Sequence, residues 1–364
     1  MANEKITYLP DWVSPPGSTL EETLTERGMT QVDLAQRIEM SRKHVKQMLN
    51  GDAPITPETA IKLERVLGIP ARFWNNREQQ YRDFLARKAE ADLLTRKLAW
   101  LKQFKHLDRM VQLGWIPNVE DPVERIRGLL DFFGVASTDA WETHWKAVAV
   151  RYRKSYKHEP DRFALATWLR RGEIQAQDVE CAPYDETAFR SALKEIRALT
   201  LSPPEVFQPA LMRKCAACGV AVVFVPELPK TASGATRWLS AHKALIQLSL
   251  KYGTDDHLWF TFFHEAGHIL LHRKSDIFIE APAATSAEEE EANRFAAKTL
   301  VPPGELQRFL SEHAPLSKSR IETFARELGI SPGIVVGRLQ HDGALPHSHC
   351  NELKRSLKWV ASGK

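Results

Sequence analysis

His264 and His268 stand four residues apart in FTFFHEAGHILLHRKSD (residues 260–276), with Glu265 directly after the first. On a helix this spacing puts both imidazoles on one face, one turn apart, as two ligands of a tetrahedral zinc require. Glu265, beside the first ligand, is placed to hold a water at the metal and take its proton. Gly267 is expected to let metal and substrate approach the helix backbone, while Phe262, Phe263, Ile269 and Leu270 anchor the other side. A catalytic zinc takes a third protein ligand and leaves its fourth position to water. SAEEEEANRFAAKTLVPP, about twenty residues on, offers Glu288, Glu289, Glu290 and Glu291. An acidic first turn also suits any solvated helix N-terminus, so one of the four is expected to turn inward, on the side of Asn293, Ala296 and Ala297. If that residue is Glu289, Asn293 lies one turn on and can orient a ligand histidine. His272 continues the histidine stripe and reads as a rim residue or an outer partner, because a fourth protein ligand would close the water position.

A second stretch, TQVDLAQRIEMSRKHVKQMLNG (residues 30–51), carries a different chemistry. Thr30 can cap a helix with Gln31 and Asp33 in its first turn and Leu34, Ala35 and Ile38 on its apolar side. Ser41 then caps RKHVKQML, in which Val45 and Met48 face inward and Arg42, Lys43, His44, Lys46 and Gln47 face outward. Two helices joined by a short turn, the second with a basic and amide-rich outer face, suit the major groove of DNA. There Arg and Lys reach phosphates or guanine edges and Gln reads adenine. Gln31, Ser41, Arg42, Lys43, His44, Lys46 and Gln47 are therefore the candidate DNA contacts. Between Glu21 and Glu78 nine acids balance nine bases, so the contact must rest on this one helix. A helical packing module without DNA affinity is the plain alternative.

Both sites need scaffolds. At 364 residues, 43% hydrophobic and 26% charged, with ten Trp and sixteen Phe, the chain predicts two or three globular domains with real cores. No apolar run reaches the roughly 20 residues of a membrane span, and MANEKITYLPDW lacks the pattern of a signal peptide. A cytoplasmic protein with no membrane partner is expected. Net charge is only +4. Of four cysteines, Cys215 and Cys218 form a lone C-x-x-C, which reads as helical thiols and not as half of a zinc site. His341, His347, His349 and Cys350 sit in a Gly- and Pro-bearing stretch and read as a loop.

Apolar residues spaced by three or four from Tyr81 to Leu113 predict one long amphipathic helix, either a dimerisation rod or core. VAVVFVPEL, ATRWLSA and ALIQLSL predict three short antiparallel strands leading into the histidine helix. ALIQLSL is the candidate edge for an extended substrate. The expected fold is mostly α, with an α+β C-terminal domain. Its expected parts are an arm (1–18), a helix-turn-helix bundle (19–80), a helical connector (81–205), a metal-binding domain with a small sheet (206–345) and a tail (346–364).

The N-terminal spacing resembles the helix-turn-helix of Xre/Cro-type repressors. The extension through Ile55, Thr56, Pro57, Phe73 and Trp74 resembles HigA-type antitoxins. One departure is Glu39, at a turn position usually given to Gly; a left-handed residue there costs on the order of 1 kcal/mol, so a reshaped turn is expected. The pattern His264, Glu265, Gly267, His268, Leu270, Leu271, His272, then Glu289, Glu291, Ala292, Asn293, Phe295, Ala296, Ala297, Leu300 and Pro302 resembles the ImmA/IrrE metallopeptidases, which are zincin-like. That resemblance implies one Zn2+ per chain on His264, His268 and Glu289, with Glu265 as the catalytic acid/base. It also implies a protein substrate such as an Xre-type repressor. His272, His242 and Tyr252 are the candidates for the oxyanion partner. Two functions follow as expectations. One is a DNA-binding regulator with zinc endopeptidase activity, acting as a homodimer on a palindromic operator. The other is an antitoxin-like autorepressor that binds a small toxin and whose zinc domain is not catalytic.

Overall fold

The computed structural model describes residues 12–153, 161–272, 278–279, 286–312 and 316–360. Most of the expected arm and the last four residues of the expected tail lie outside this set. The chain divides into two compact units, residues 1–98 and 99–364.

The first unit is built from helices Pro16–Glu26, Gln31–Arg37, Arg42–Leu49, Pro57–Leu67 and Ala71–Thr95. Thr30 starts the second of these with a closed capping box. Asp33 N–H donates to Thr30 Oγ1 at 3.1 Å, and Thr30 N–H donates to Asp33 Oδ2 at 3.1 Å. Ser41 starts the third by accepting the N–H of His44 at 3.2 Å. Leu34, Ala35, Ile38, Val45 and Met48 are all buried, in one core with Leu20, Leu63 and Trp74. The turn between the two helices keeps its left-handed residue: Glu39 has φ 56°. The expected reshaping does not occur, because Lys62 holds this turn. Its Nζ donates to Ile38 O at 2.9 Å and lies 3.9 Å from the Glu39 carboxylate. After the third helix, the buried Glu78 accepts Ile55 N–H at 3.0 Å, and Arg82 ties Glu78 to Gly51 O.

The single helix predicted from Tyr81 to Leu113 is broken. It begins earlier, at Ala71, ends at Thr95, and is followed by Leu98–Leu101 and Leu107–Gln112. The breaks place Trp100 and Phe104 in an aromatic cluster with Phe133, Trp141 and Phe163. In that cluster Trp141 stacks on Phe163 at 4.7 Å between centroids. Burying several large rings outweighs the hydrogen bonds lost at two helix ends.

The second unit centres on a small sheet of order β1-β3-β2-β4: β1 Val220–Phe224, β2 Gly234–Ser240, β3 Lys243–Leu248 and β4 Phe278–Ile279. β2 and β3 form the expected antiparallel hairpin, but β1 pairs with β3 in parallel. The ALIQLSL strand is therefore interior, paired on both sides, and cannot accept a peptide by strand addition. Side chains alternate between the two faces. Thr236 turns to the helix Asp255–Leu271, where its Oγ1 donates to Glu265 O at 3.1 Å. Gln247 turns the other way and donates to Trp168 O at 2.7 Å, in the helix Arg162–Gln177. The histidine helix thus lies on one face of the sheet and Arg162–Gln177 on the other. Trp259, Phe262 and Phe263 are wholly buried in the core beneath the histidine helix. Among the described residues no helix is long and apolar enough to cross a membrane.

Candidate metal centre and nucleic-acid interface

Thr254 precedes the helix Asp255–Leu271, whose first turn is fixed by two buried acids. Asp255 accepts from Ser331 Oγ at 2.6 Å and from Arg355 N–H at 2.9 Å, and Asp256 pairs with Lys354 Nζ at 2.7 Å. Residues 354 and 355, expected to belong to a tail, thereby tie down the start of the helix that carries the histidines. Negative charge is favourable at a helix N-terminus, and the Asp255-Asp256 pair was the only signal of this anchor in the sequence.

Three turns on, His264 and His268 project together, and their Nε2 atoms are 3.0 Å apart. Facing them is Glu289, from the helix Ala287–Leu300, whose carboxylate lies 3.2 Å from His264 Nε2 and 3.5 Å from His268 Nε2. Glu289 is buried, while Glu288, Glu290 and Glu291 are exposed. The three ligand atoms lie within 4.8 Å of one another, and this is the three-ligand group found among the described residues. The remaining imidazole nitrogens are occupied: His264 Nδ1 by Asn293 Oδ1 at 2.9 Å and His268 Nδ1 by His272 Nδ1 at 2.9 Å. His272 Nε2 in turn reaches Glu291 Oε2 at 3.3 Å.

Burial pulls His268 down to about 4 against the raising effect of Glu289, so its ring is neutral at neutral pH. Burial works to raise the Glu289 carboxyl, but the two imidazoles outweigh it and hold it at about 2. Two imidazoles, each held from behind by a second side chain, and one ionised carboxylate form a donor set that fits zinc.

Glu265 is 0% exposed. Its side chain packs against β2 at Gly234, where a Cβ would come within 2.7 Å of Glu265 Oε1. Gly267, expected to clear a path for substrate, instead packs against the glutamate helix: a Cβ there would lie 3.2 Å from Ala292 Cα. A cleft of about 580 Å³ opens beside the group, walled by His264, Glu289 and Asn293, with Phe260, Leu300 and Ile334 among its apolar walls. Glu265 is not one of its walls. Of the oxyanion candidates, Tyr252 lines the cleft. His242 sits exposed in the β2–β3 turn, and His272 is engaged by His268 and Glu291. Gly234 and Thr236 were missed in the sequence because a strand's contact with a distant helix leaves no local pattern.

Of the stretch read as a loop, His341 instead ends the helix Pro332–His341; beyond it, Gln340 Nε2 gathers the carbonyl oxygens of His347 and His349 at 3.3 and 3.0 Å, which makes the rest an ordered loop. Cys215 is buried at the end of the helix Pro204–Ala216, and burial pushes its thiol up, away from the thiolate a metal needs.

On the first unit, the helix Arg42–Leu49 leaves Arg42, Lys43 and Lys46 exposed. None has an ion-pair partner among the described residues. His44 and Gln47 are half-buried beside them, Ser41 is exposed at the cap, and Gln31 is half-buried at the start of the preceding helix. The structure thus gathers the cations on one short helix, with their charges unspent.

Residues 20–74 match the Helix-turn-helix family, and residues 222–340 match the IrrE N-terminal-like domain. One match falls in each of the two compact units. It is similar to YddM of Escherichia coli K12, an uncharacterized HTH-type transcriptional regulator, at 34% identity over 61 residues. That match takes in 17% of this chain and spans 65% of the relative's length. Among solved structures, an addiction module antidote protein of a HigA family from Coxiella burnetii is 28% identical, covering 23% of this chain and 91% of that one. Its TM-score is 0.21.

Proposed function

We propose that this protein is a transcriptional regulator whose second unit is a zinc-dependent endopeptidase. The observation that carries the peptidase reading is the convergence of His264, His268 and Glu289 at one end of a cleft, with the carboxylate of Glu265 on the same helix. When bound there, zinc supplies Lewis acidity that polarises a peptide carbonyl and makes water acidic. Asn293 and His272 hold the two imidazoles in orientation. Glu265 takes the proton of the attacking water and returns it to the leaving amine. Tyr252, at the cleft wall, is the candidate that faces the developing oxyanion. The apolar walls at Phe260, Leu300 and Ile334 seat substrate side chains. A repressor-type protein is the proposed substrate, and the helix-turn-helix, read as half of a homodimer on a palindromic operator, brings the chain to the genes concerned.

The test is metal content measured together with cleavage of co-expressed repressors by wild type and Glu265→Gln. The expected outcome is one zinc per chain in both, and cleavage by wild type only. Equal cleavage by both proteins would remove Glu265 from the mechanism.

One observation favours a second reading. Glu265 is wholly buried and does not line the cleft, as suits a metal domain that senses or stabilises without cutting. In that case the protein is an antitoxin-like autorepressor with a small toxin as partner. Wild type that holds zinc, represses its own promoter and cleaves nothing would support it.

A further inference from the structure

A second cavity, of about 870 Å³, lies beside Arg162–Gln177, the helix on the sheet face turned away from the metal group. Its volume is within the range of small-molecule sites. Phe133 and Trp145 give it aromatic walls, and Arg170, Glu173 and Lys243 are charged residues that line it. Glu173 is shared. Arg170 Nη1 donates to its Oε2 at 2.7 Å, and Arg237, behind it on β2, pairs with its Oε1. One carboxylate thus serves two guanidiniums, and Lys243 adds a third cation, its Nζ donating to the carbonyls of Ala176 and Val179.

Several donors around this space have no acceptor. Arg170 Nη2 has no hydrogen-bond partner among the described residues, and a Cβ at Gly134 would lie 3.1 Å from it. Glycine at that position leaves the guanidinium edge clear. Arg237, not itself a wall but joined to one through Glu173, is only 8% exposed and has a buried Nη2 with no acceptor, and Trp145, 2% exposed, has a buried indole N–H with none. Buried donors are nearly always paired, and cations so placed are costly unless an anion completes them. Burial, with Arg170 nearby, already pulls Arg237 down to about 9.

We propose that this cavity binds a small organic oxyanion, a phosphate or carboxylate carried on a flat apolar body, with Arg170 as its principal contact and the Phe133–Trp145 walls against the body. The site shares β2 with the metal domain: Arg237 is the neighbour of Thr236, which holds the Glu265 carbonyl.

The experiment is calorimetric titration of the full-length, zinc-loaded chain with phenyl phosphate and, separately, with benzoate and inorganic phosphate. Saturable binding of at least one aromatic anion, one per chain and tighter than inorganic phosphate, is expected. Which of the two binds tighter tells phosphate from carboxylate. Arg170→Gln should weaken binding about tenfold, as loss of a charge-assisted bond does. Glu173→Gln should tighten it, because the competing carboxylate is gone; a residue of merely structural importance would not give opposite signs. Lys243→Met, expected to weaken binding, serves where either of the others fails to fold by circular dichroism. No saturable binding at millimolar probe would overturn the proposal. So would affinities that the folded variants leave unchanged, or binding that disappears with the metal after chelation, which would put the anion on the metal group.

Discussion

His268 meets His272 nitrogen to nitrogen, Nδ1 to Nδ1 at 2.9 Å. Asn293 Oδ1 meets His264 Nδ1 at the same 2.9 Å, so each candidate histidine ligand is aimed by a residue one turn or one helix away. Outer partners of metal-bound histidines contribute roughly 10- to 100-fold in affinity. His272→Ala and Asn293→Ala are each expected to weaken zinc binding by about that factor, measured by competition with a chromophoric chelator. Unchanged affinity in both would mean that the imidazoles are held by packing alone.

Among the four consecutive glutamates only Glu289 is buried, and only its carboxylate faces both imidazoles. Glu289→Ala should therefore abolish stoichiometric zinc, while Glu288→Ala and Glu290→Ala retain it. Glu291→Ala should have the smaller effect of losing the His272 contact. Removing zinc from wild type with a chelator should reproduce the Glu289→Ala protein in thermal stability, because binding to the folded form adds to its stability.

The exposed cations of the helix Arg42–Leu49 give the second measurable. If Arg42 and Lys43 each neutralise one phosphate, each Ala substitution lowers the slope of log K against log salt by about 0.9. The double variant should bind weakly and with little salt dependence. Tight, selective binding that survives both changes would move the DNA interface off this helix.

Glu39 holds a left-handed backbone at φ 56° with its side chain 87% exposed. An ion pair that open contributes little, whereas the backbone strain is worth about 1 kcal/mol. Glu39→Gly should raise the stability of the first unit by something under that value, read from denaturant midpoints, and leave zinc content unchanged. A loss of stability would show that Lys62 depends on the carboxylate to hold the turn.

How far the sequence could be read depended on the range of the contact. The four-residue spacing of His264 and His268, the caps at Thr30 and Ser41, and the inward set Leu34, Ala35, Ile38, Val45 and Met48 are short-range patterns, and each has its counterpart in the structure. Glu289 could be narrowed only to one of four from its helical phase with Asn293; burial separates them. What could not be read was set at long range. The parallel pairing of β1 with β3 depends on how distant segments stack, and period-two patterning is the same in parallel and antiparallel strands. The break after Thr95 follows from an aromatic cluster assembled from residues as far apart as Trp100 and Phe163. The turn at Glu39 was judged from one residue's preference, while Lys62, twenty-three positions away, decides it.

Gly234 and Glu265 meet in a contact that no sequence motif announces. At Gly234 a Cβ would come within 2.7 Å of Glu265 Oε1, 2.9 Å of its Cγ and 2.5 Å of Thr261 Cγ2. Gly234→Ala must therefore move the Glu265 side chain, at a cost of about 1–3 kcal/mol for overpacking. The atoms nearest such a Cβ belong to Thr261 and Glu265 and not to His264, His268 or Glu289, so zinc content and DNA affinity should stay near wild type. Cleavage should fall by at least the roughly 10²-fold that general acid–base catalysis supplies, and adding Glu265→Gln to the same chain should lower it little further, because both changes remove the same proton transfer. Full activity in Gly234→Ala, with folding and zinc intact, would mean that the buried position of Glu265 against β2 is not its working position. The carboxylate would then have to swing toward the cleft before it acts.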